Sequence, residues 1–208
     1  MSANLKHIHH PILEHYVSLI RKRDTGTGDF RRYAEVISQI MVLEATRDAG
    51  TEEQLIDTPV GPTTGHLVKD TIVFVPVLRA GLAMLDPALH ILPNSSVGFI
   101  GLERDEKTAV AREYYKKFPL KLDGQRILIL DPMLATGGSL IDTIERLHEK
   151  SARNISAVCI VAAPEGIAAV HARFPEVIIF TAAVDQGLND QKFIVPGLGD
   201  FGDRYFGT

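Results

Sequence analysis

The sequence predicts an α/β fold: a doubly wound, mostly parallel sheet flanked by helices, with a small hairpin and N-terminal helices added to it. Five short runs carry the prediction, Thr71 to Val77, Val97 to Leu102, Arg126 to Leu130, Ser156 to Ala163 and Val177 to Ala183. They are apolar almost without alternation, as strands buried on both faces are. Helical patterns separate several of them, namely Ala80 to Leu92, Gly138 to Lys150 and Glu165 to Phe174, and such alternation argues for parallel strands joined by crossover helices. A chain of 208 residues is also long enough to bury about 70 % of its unfolded surface without disulfides or a structural metal.

Ahead of the sheet, Ile12 to Arg23 and Phe30 to Asp48 read as amphipathic helices, because Phe30, Tyr33/Ala34, Ile37, Ile40/Met41 and Ala45 fall on one face. The glycines of Asp24 to Asp29 break the first helix, and Asp29 is placed to cap the second. Between Glu52 and Lys69, Pro59-Val60-Gly61-Pro62 interrupts two short segments and predicts a hairpin or flap lying against the main body. The division expected is one domain over 1–208, with N-terminal helices at 1–50, the hairpin at 51–70, the core sheet at 71–184 and a C-terminal segment at 185–208.

Composition excludes several classes of function. The net charge is −4 and no basic run exceeds Arg21-Lys22-Arg23, which argues against a nucleic-acid footprint. No window approaches the roughly 20 apolar residues of a membrane span, and Met1 to His7 lacks the apolar stretch of a signal peptide; a cytoplasmic location without a membrane partner is expected. The single Cys159 cannot pair within the chain, in keeping with a reducing compartment. Its setting, Ala-Val-Cys-Ile-Val, reads as an inert core thiol. His7, His9, His10 and His15 are dense, but on a terminal segment they read as a solvated end; no protein metal site is expected.

Ligands of doubly wound sheets bind at the carboxyl ends of the strands, which directs attention to the loops after Val77, Leu102, Leu130, Ala163 and Ala183. The loop after Leu130 has the strongest pattern: a strand ending in Asp131, the turn Pro132-Met133-Leu134-Ala135-Thr136-Gly137-Gly138-Ser139, then a helix. Gly137 and Gly138 let backbone approach a ligand closely, so a branched residue at Gly137 should obstruct it. The N–H groups opening the helix, with the Thr136 and Ser139 hydroxyls, can surround a phosphate. Asp131 can accept hydrogen bonds from sugar hydroxyls. An ordinary strand-to-helix turn is the alternative, and the acid and two hydroxyls weigh against it. Arg79 and Arg104 follow other strands, where guanidinium forks suit a diphosphate. The charged segment Asp105 to Lys117 reads as a mobile cover. Gly197-Leu-Gly199-Asp-Phe-Gly202 satisfies the dinucleotide pattern G-x-G-x-x-G, but too little chain follows for its helix and distant acid. Asp200-Phe-Gly202 imitates the kinase magnesium motif without the catalytic loop that accompanies it.

Asp131 to Ser139 resembles the phosphoribosyl-diphosphate (PRPP) motif of type I phosphoribosyltransferases, in the variant typical of the uracil phosphoribosyltransferase family. The resemblance extends over nearly the whole chain: His10-Pro11, Val75-Pro-Val-Leu-Arg79-Ala-Gly81, Arg104-Asp-Glu, Ala162-Ala-Pro-Glu-Gly166, Asp185-Gln-Gly-Leu-Asn189, Ile194-Val-Pro-Gly-Leu-Gly-Asp200 and Phe206-Gly207-Thr208. It implies conversion of uracil and PRPP to UMP and diphosphate in pyrimidine salvage. It implies PRPP contacts from Arg79, Arg104, Asp131 to Ser139 and Asp200, and uracil contacts from Ile194, Gly199, Asp200 and Phe201 through an acceptor, donor, acceptor edge. Asp131, Arg79, Arg104 and Asp200 are the catalytic set so implied. Magnesium bound mainly through PRPP, a homo-oligomer (dimer or tetramer) and a GTP activator belong to the same expectation. Two departures stand out. Asp131-Pro132 replaces the paired acids of many wider relatives, against a tightly held metal, and Phe201 stands where a small alanine is usual, which should reshape the pocket. Two rivals remain at this level, a phosphoribosyltransferase for another base and a PRPP-sensing RNA-binding regulator.

Overall fold

The structure, a computed structural model, describes residues 3–104 and 111–208, with backbone alone for 102–104 and 111–114. In chain order the elements are β1 (Leu5–His7), α1 (Pro11–Arg21), α2 (Thr27–Ala45), β2 (Thr51–Asp57), β3 (Pro62–Val68), β4 (Ile72–Leu78), α3 (Leu82–Ile91), β5 (Ser96–Val97), β6 (Phe99–Arg104) and β7 (Ala111–Lys117). There follow β8 (Arg126–Leu130), β9 (Met133–Leu134), α4 (Gly138–His148), β10 (Asn154–Ala162), α5 (Pro164–Arg173), β11 (Ile178–Val184), β12 (Gly187–Leu188), β13 (Ile194–Val195) and α6 (Phe201–Phe206).

The main sheet runs β1-β11-β10-β8-β4-β6-β7, with β5 beside β4 and β9 beside β10. Its pairings are parallel except β6 with β7. Because successive strand residues point to opposite faces, each buried run feeds two cores. Leu128 and Leu130 join α1, α2, α3 and α6 on one face, while Ile127 and Ile129 join α4 and α5 on the other. This two-sided burial is why the strands read as unbroken apolar runs. Cys159 lies in the second core with no exposure, and burial pushes its thiol pKa up, so its surroundings leave it unreactive.

Four expectations need correction. The N-terminus is not a loose end: Leu5-Lys6-His7 forms the edge strand beside Ile179 to Thr181, although His9, His10 and His15 are exposed as expected. His10 caps α1 by accepting from the Ile12 N–H at 3.1 Å, and His9 stands 3.5 Å from Glu14. Asp29 does not cap α2; the N-cap is Gly26, and Asp29 lies in the first turn, bonded to Arg32. The hairpin β2-β3 pairs in register from Thr51–Val68 to Asp57–Pro62, yet almost every residue in it is exposed, so it stands off the body instead of lying on it. A two-stranded ribbon has no second layer to cover either face. Of the segment expected to be a cover, 105–110 lies outside the described residues, and Ala111–Lys117 pairs antiparallel with β6. Among the described residues no helix is long and apolar enough to cross a membrane.

Candidate active site

The loop after β8 is knit to the sheet before it leaves it. The Asp131 N–H donates to Val158 O at 3.2 Å, and the Pro132 carbonyl accepts from both Ile160 and Val161 at 3.0 Å. Met133 and Leu134 pair beside Val161 and Ala162. Beyond them the turn rests directly on α5: a Cβ added at Gly166 would lie 2.4 Å from Ala135 O, and one at Gly137 3.0 Å from Gly166 O. Gly137 has φ +85 and no side chain caps α4. The first N–H groups of a helix have no acceptor within it, so the start of α4 offers a phosphate its donors and its positive dipole end.

These residues enclose an open cleft of about 490 Å³ lined by Asp131, Met133 to Leu140, and Lys192. Burial pushes the Asp131 pKa up to about 6, partly opposed by the N–H of Met133, which donates to its Oδ1 at 3.3 Å. A second cleft of about 550 Å³ adjoins it, lined by Met133, Ala135, Gln191 to Ile194, and Gly199 to Phe201. Met133, Ala135 and Lys192 belong to both clefts, so ligands bound in the two would share a wall.

The second cleft is made by backbone folded tightly on itself. Gly187 to Leu188 pairs antiparallel with Ile194 to Val195, and the Asn189 side chain closes the connection by accepting from the Gln191 and Phe193 N–H groups at 3.1 and 2.9 Å. Gly197 follows with φ +59, where an added Cβ would fall 2.1 Å from Ile194 O; only glycine fits that crossing. Asp185 accepts from the Gly197 N–H at 2.8 Å and binds Arg21 of α1. Arg204 donates to Leu198 O at 2.7 Å and to Ile20 O at 2.9 Å.

The expected site residues divide clearly. Asp131, Met133, Leu134, Ala135, Thr136, Gly137, Gly138 and Ser139 come together in the first cleft, and Ile194, Gly199, Asp200 and Phe201 in the second. Pro132 does not line either; its carbonyl is spent on the sheet. Phe201 lines the second cleft while its ring packs against Phe30 with centroids 5.1 Å apart. Asp200 caps α6, its Oδ1 accepting from Asp203 N–H at 2.8 Å. Arg79, expected beside the diphosphate, lines neither cleft; it is exposed, 3.8 Å from Asp203 and near the Phe206 ring. Arg104 ends β6, and its side chain lies outside the described residues. Lys192 was not foreseen. A lysine in a polar loop gives no periodic signal, and only the fold brings it to the junction of the clefts, with a left-handed φ of +66.

Comparison with known proteins agrees with this geometry. Residues 7–208 match the family model described as uracil phosphoribosyltransferase. Curated proteins of that name from Thermosipho melanesiensis and Latilactobacillus sakei are 47 % and 46 % identical over 202 residues, covering 97 % of this chain and of each relative. A solved structure of a protein from Aquifex aeolicus superposes with a TM-score of 0.92 at 39 % identity, over 97 % of both chains. The adenine phosphoribosyltransferase of Leishmania donovani reaches 0.61 at 14 % identity, over 92 % of this chain and 88 % of its own, a likeness of fold alone.

Proposed function

The chain belongs to the uracil phosphoribosyltransferase family, and we propose that it transfers the phosphoribosyl group of PRPP to uracil, giving UMP and diphosphate. The observation that carries this reading is the shared wall: a cleft suited to phosphate and a second cleft beside the Gly197–Gly199 turn meet at Met133, Ala135 and Lys192, as two halves of one nucleotide require.

The 5'-phosphate sits on Ala135 to Ser139, the ribose hydroxyls face Asp131, and the base lies against Ile194 to Phe201. In the reaction the uracil N1–C1' bond forms, the C1'–diphosphate bond breaks, and the N1 proton passes to solvent. Positive charge develops at C1' as diphosphate departs, and the chain's task is to align the reactants and stabilise that charge separation. Asp131 contributes a negative charge on the ribose side. Its pKa of about 6 leaves it mostly ionised at neutral pH. Arg79 makes only a loose, exposed pair with Asp203, worth little in water, and can turn to the diphosphate, with Arg104 assigned the same role. Lys192 supplies a cation where the clefts meet.

Magnesium fits this site as a ligand-held ion. Asp131 is a half-buried carboxylate without a charged partner close enough to offset its desolvation. An ion bound through diphosphate and ribose oxygens, with Asp131 as the protein's oxygen donor, would neutralise leaving-group charge. A homo-oligomer is part of the same reading, supported by Leu55 and Val60 on the hairpin, 72 % and 99 % exposed. Incubation with uracil, PRPP and magnesium should yield UMP. Adenine, guanine and hypoxanthine should not replace uracil, and their use at comparable rates would refute the assignment.

A further inference from the structure

Arg21 ends α1 and Asp185 follows β11, 164 positions away in sequence. Arg21 Nη1 donates to Asp185 Oδ2 at 2.8 Å and to Gly197 O at 2.7 Å, while Nη2 donates to Asp185 Oδ1 at 2.6 Å. The same Oδ2 accepts from the Gly197 N–H at 2.8 Å. One ion pair therefore holds both the N–H and the C=O of a single glycine. The pair is largely buried, with side-chain exposures of 21 % for Arg21 and 6 % for Asp185. A two-pronged guanidinium–carboxylate contact of this kind is among the more rigid polar contacts a protein can make.

Its location gives this rigidity a use. Gly197 and Gly199 both have positive φ, and two such residues make the turn soft unless something outside it sets its position. Arg204 grips Leu198 O, so Gly197 and Leu198 are fixed in succession, and the next two residues, Gly199 and Asp200, line the base cleft. We propose that Arg21 and Asp185 are positioning residues for the base: they set the backbone from Gly197 onward so that its peptide groups match a pyrimidine presenting an acceptor, donor, acceptor edge. The inference rests on the uracil reading above. The pair touches no substrate; it acts through the turn, where a misplacement of about 1 Å can weaken a reaction a hundredfold.

The test uses the intact chain and three variants, Arg21→Met, Arg21→Lys and Asp185→Asn, with UMP formation measured while uracil and PRPP are varied separately and cytosine is offered as rival base. Arg21→Met should raise the KM for uracil about tenfold or more, leave the KM for PRPP within twofold, and lower the preference for uracil over cytosine. Arg21→Lys, which keeps the charge and loses the fork, should fall between parent and Arg21→Met. Asp185→Asn should shift the same parameters in the same direction. An unchanged uracil KM and preference in folded variants would overturn the proposal, as would uracil and PRPP constants rising together. Failure of all three variants to fold would also overturn it, since the pair would then serve the fold alone. A parent that makes no UMP would instead refute the reading on which it rests.

Discussion

Gly137 and Gly138 are neighbours in the loop proposed to hold the phosphate, and the structure gives their substitutions opposite outcomes. At Gly137, φ is +85 and an added Cβ would meet Gly166 O at 3.0 Å, Val170 Cγ2 at 3.3 Å and Ala169 Cβ at 3.4 Å. An L-residue in that left-handed region costs about 1–2 kcal/mol, and crowding against α5 adds about 1–3 kcal/mol. Gly137→Ala should thus destabilise the protein by roughly 2–5 kcal/mol, which for a chain of this length lowers Tm by about 4 to 20 °C. The side chain points at α5, not at the phosphate, so PRPP affinity should fall only as far as the loop shifts. At Gly138 the nearest atom to an added Cβ is Thr136 Oγ1 at 3.8 Å, with no backbone strain. Gly138→Val should melt within a few degrees of the parent yet obstruct one charge-assisted bond to phosphate, worth about 1.5–3 kcal/mol. Its PRPP affinity should drop roughly tenfold to a hundredfold. Thermal melts and titration calorimetry on both variants decide the matter. Parent-like melting of Gly137→Ala, or parent-like PRPP binding by Gly138→Val, would refute the reasoning.

Other outcomes follow from the same geometry. If the Asp131 carboxylate is the working form, kcat/KM for PRPP should fall as pH drops below about 6, and a pH profile of Asp131→Asn should lack that limb while turnover falls roughly a hundredfold. Because the folded state holds this proton more tightly than the unfolded chain, with a pKa of about 6 against 3.8, the group's linkage makes stability decline as pH rises through that interval. Lys192→Gly removes the charge and relieves the φ of +66. It should weaken PRPP binding roughly twofold to fivefold at low salt, the worth of an exposed ion contact, and the difference should shrink in a salt titration. Uracil should be preferred over cytosine by at least about thirtyfold in kcat/KM, since two mismatched buried polar groups cost about 1–3 kcal/mol each. Ile194→Ala, which loses a core side chain at 5 % exposure, should lower stability by about 2–5 kcal/mol but keep that preference; its loss would argue against backbone readout.

Much of this molecule is legible along the chain because its strands are buried on both faces. Arg126 to Leu130 was bounded correctly from apolarity alone, since a run with no polar alternation has few other uses. The geometry of the turn after β8 is legible because its requirements are local: an acid at a strand end, glycine at a left-handed turn, and an uncapped helix start within a few residues. Leu5 to His7 escaped because three residues carry no period, and the strand exists only where β11 offers it a partner. The hairpin was recognised from its turn, but its standing away from the body depends on contacts it does not make. The Gly137 side-chain direction was misjudged for a related reason: the sequence shows that glycine is needed there, not that α5 is what requires it.

The sequence by itself therefore determined the layers, the mostly parallel sheet and the geometry of the turn after β8, since periodicity and turn chemistry act between residues close along the chain. The joining of two clefts at Lys192, and the grip of Arg21 and Asp185 on Gly197 across 164 positions, were decided only by tertiary structure. A charged side chain in a loop or at a helix end carries no pattern that names its partner; the partner is whichever group the folded sheet and helices bring within hydrogen-bonding distance.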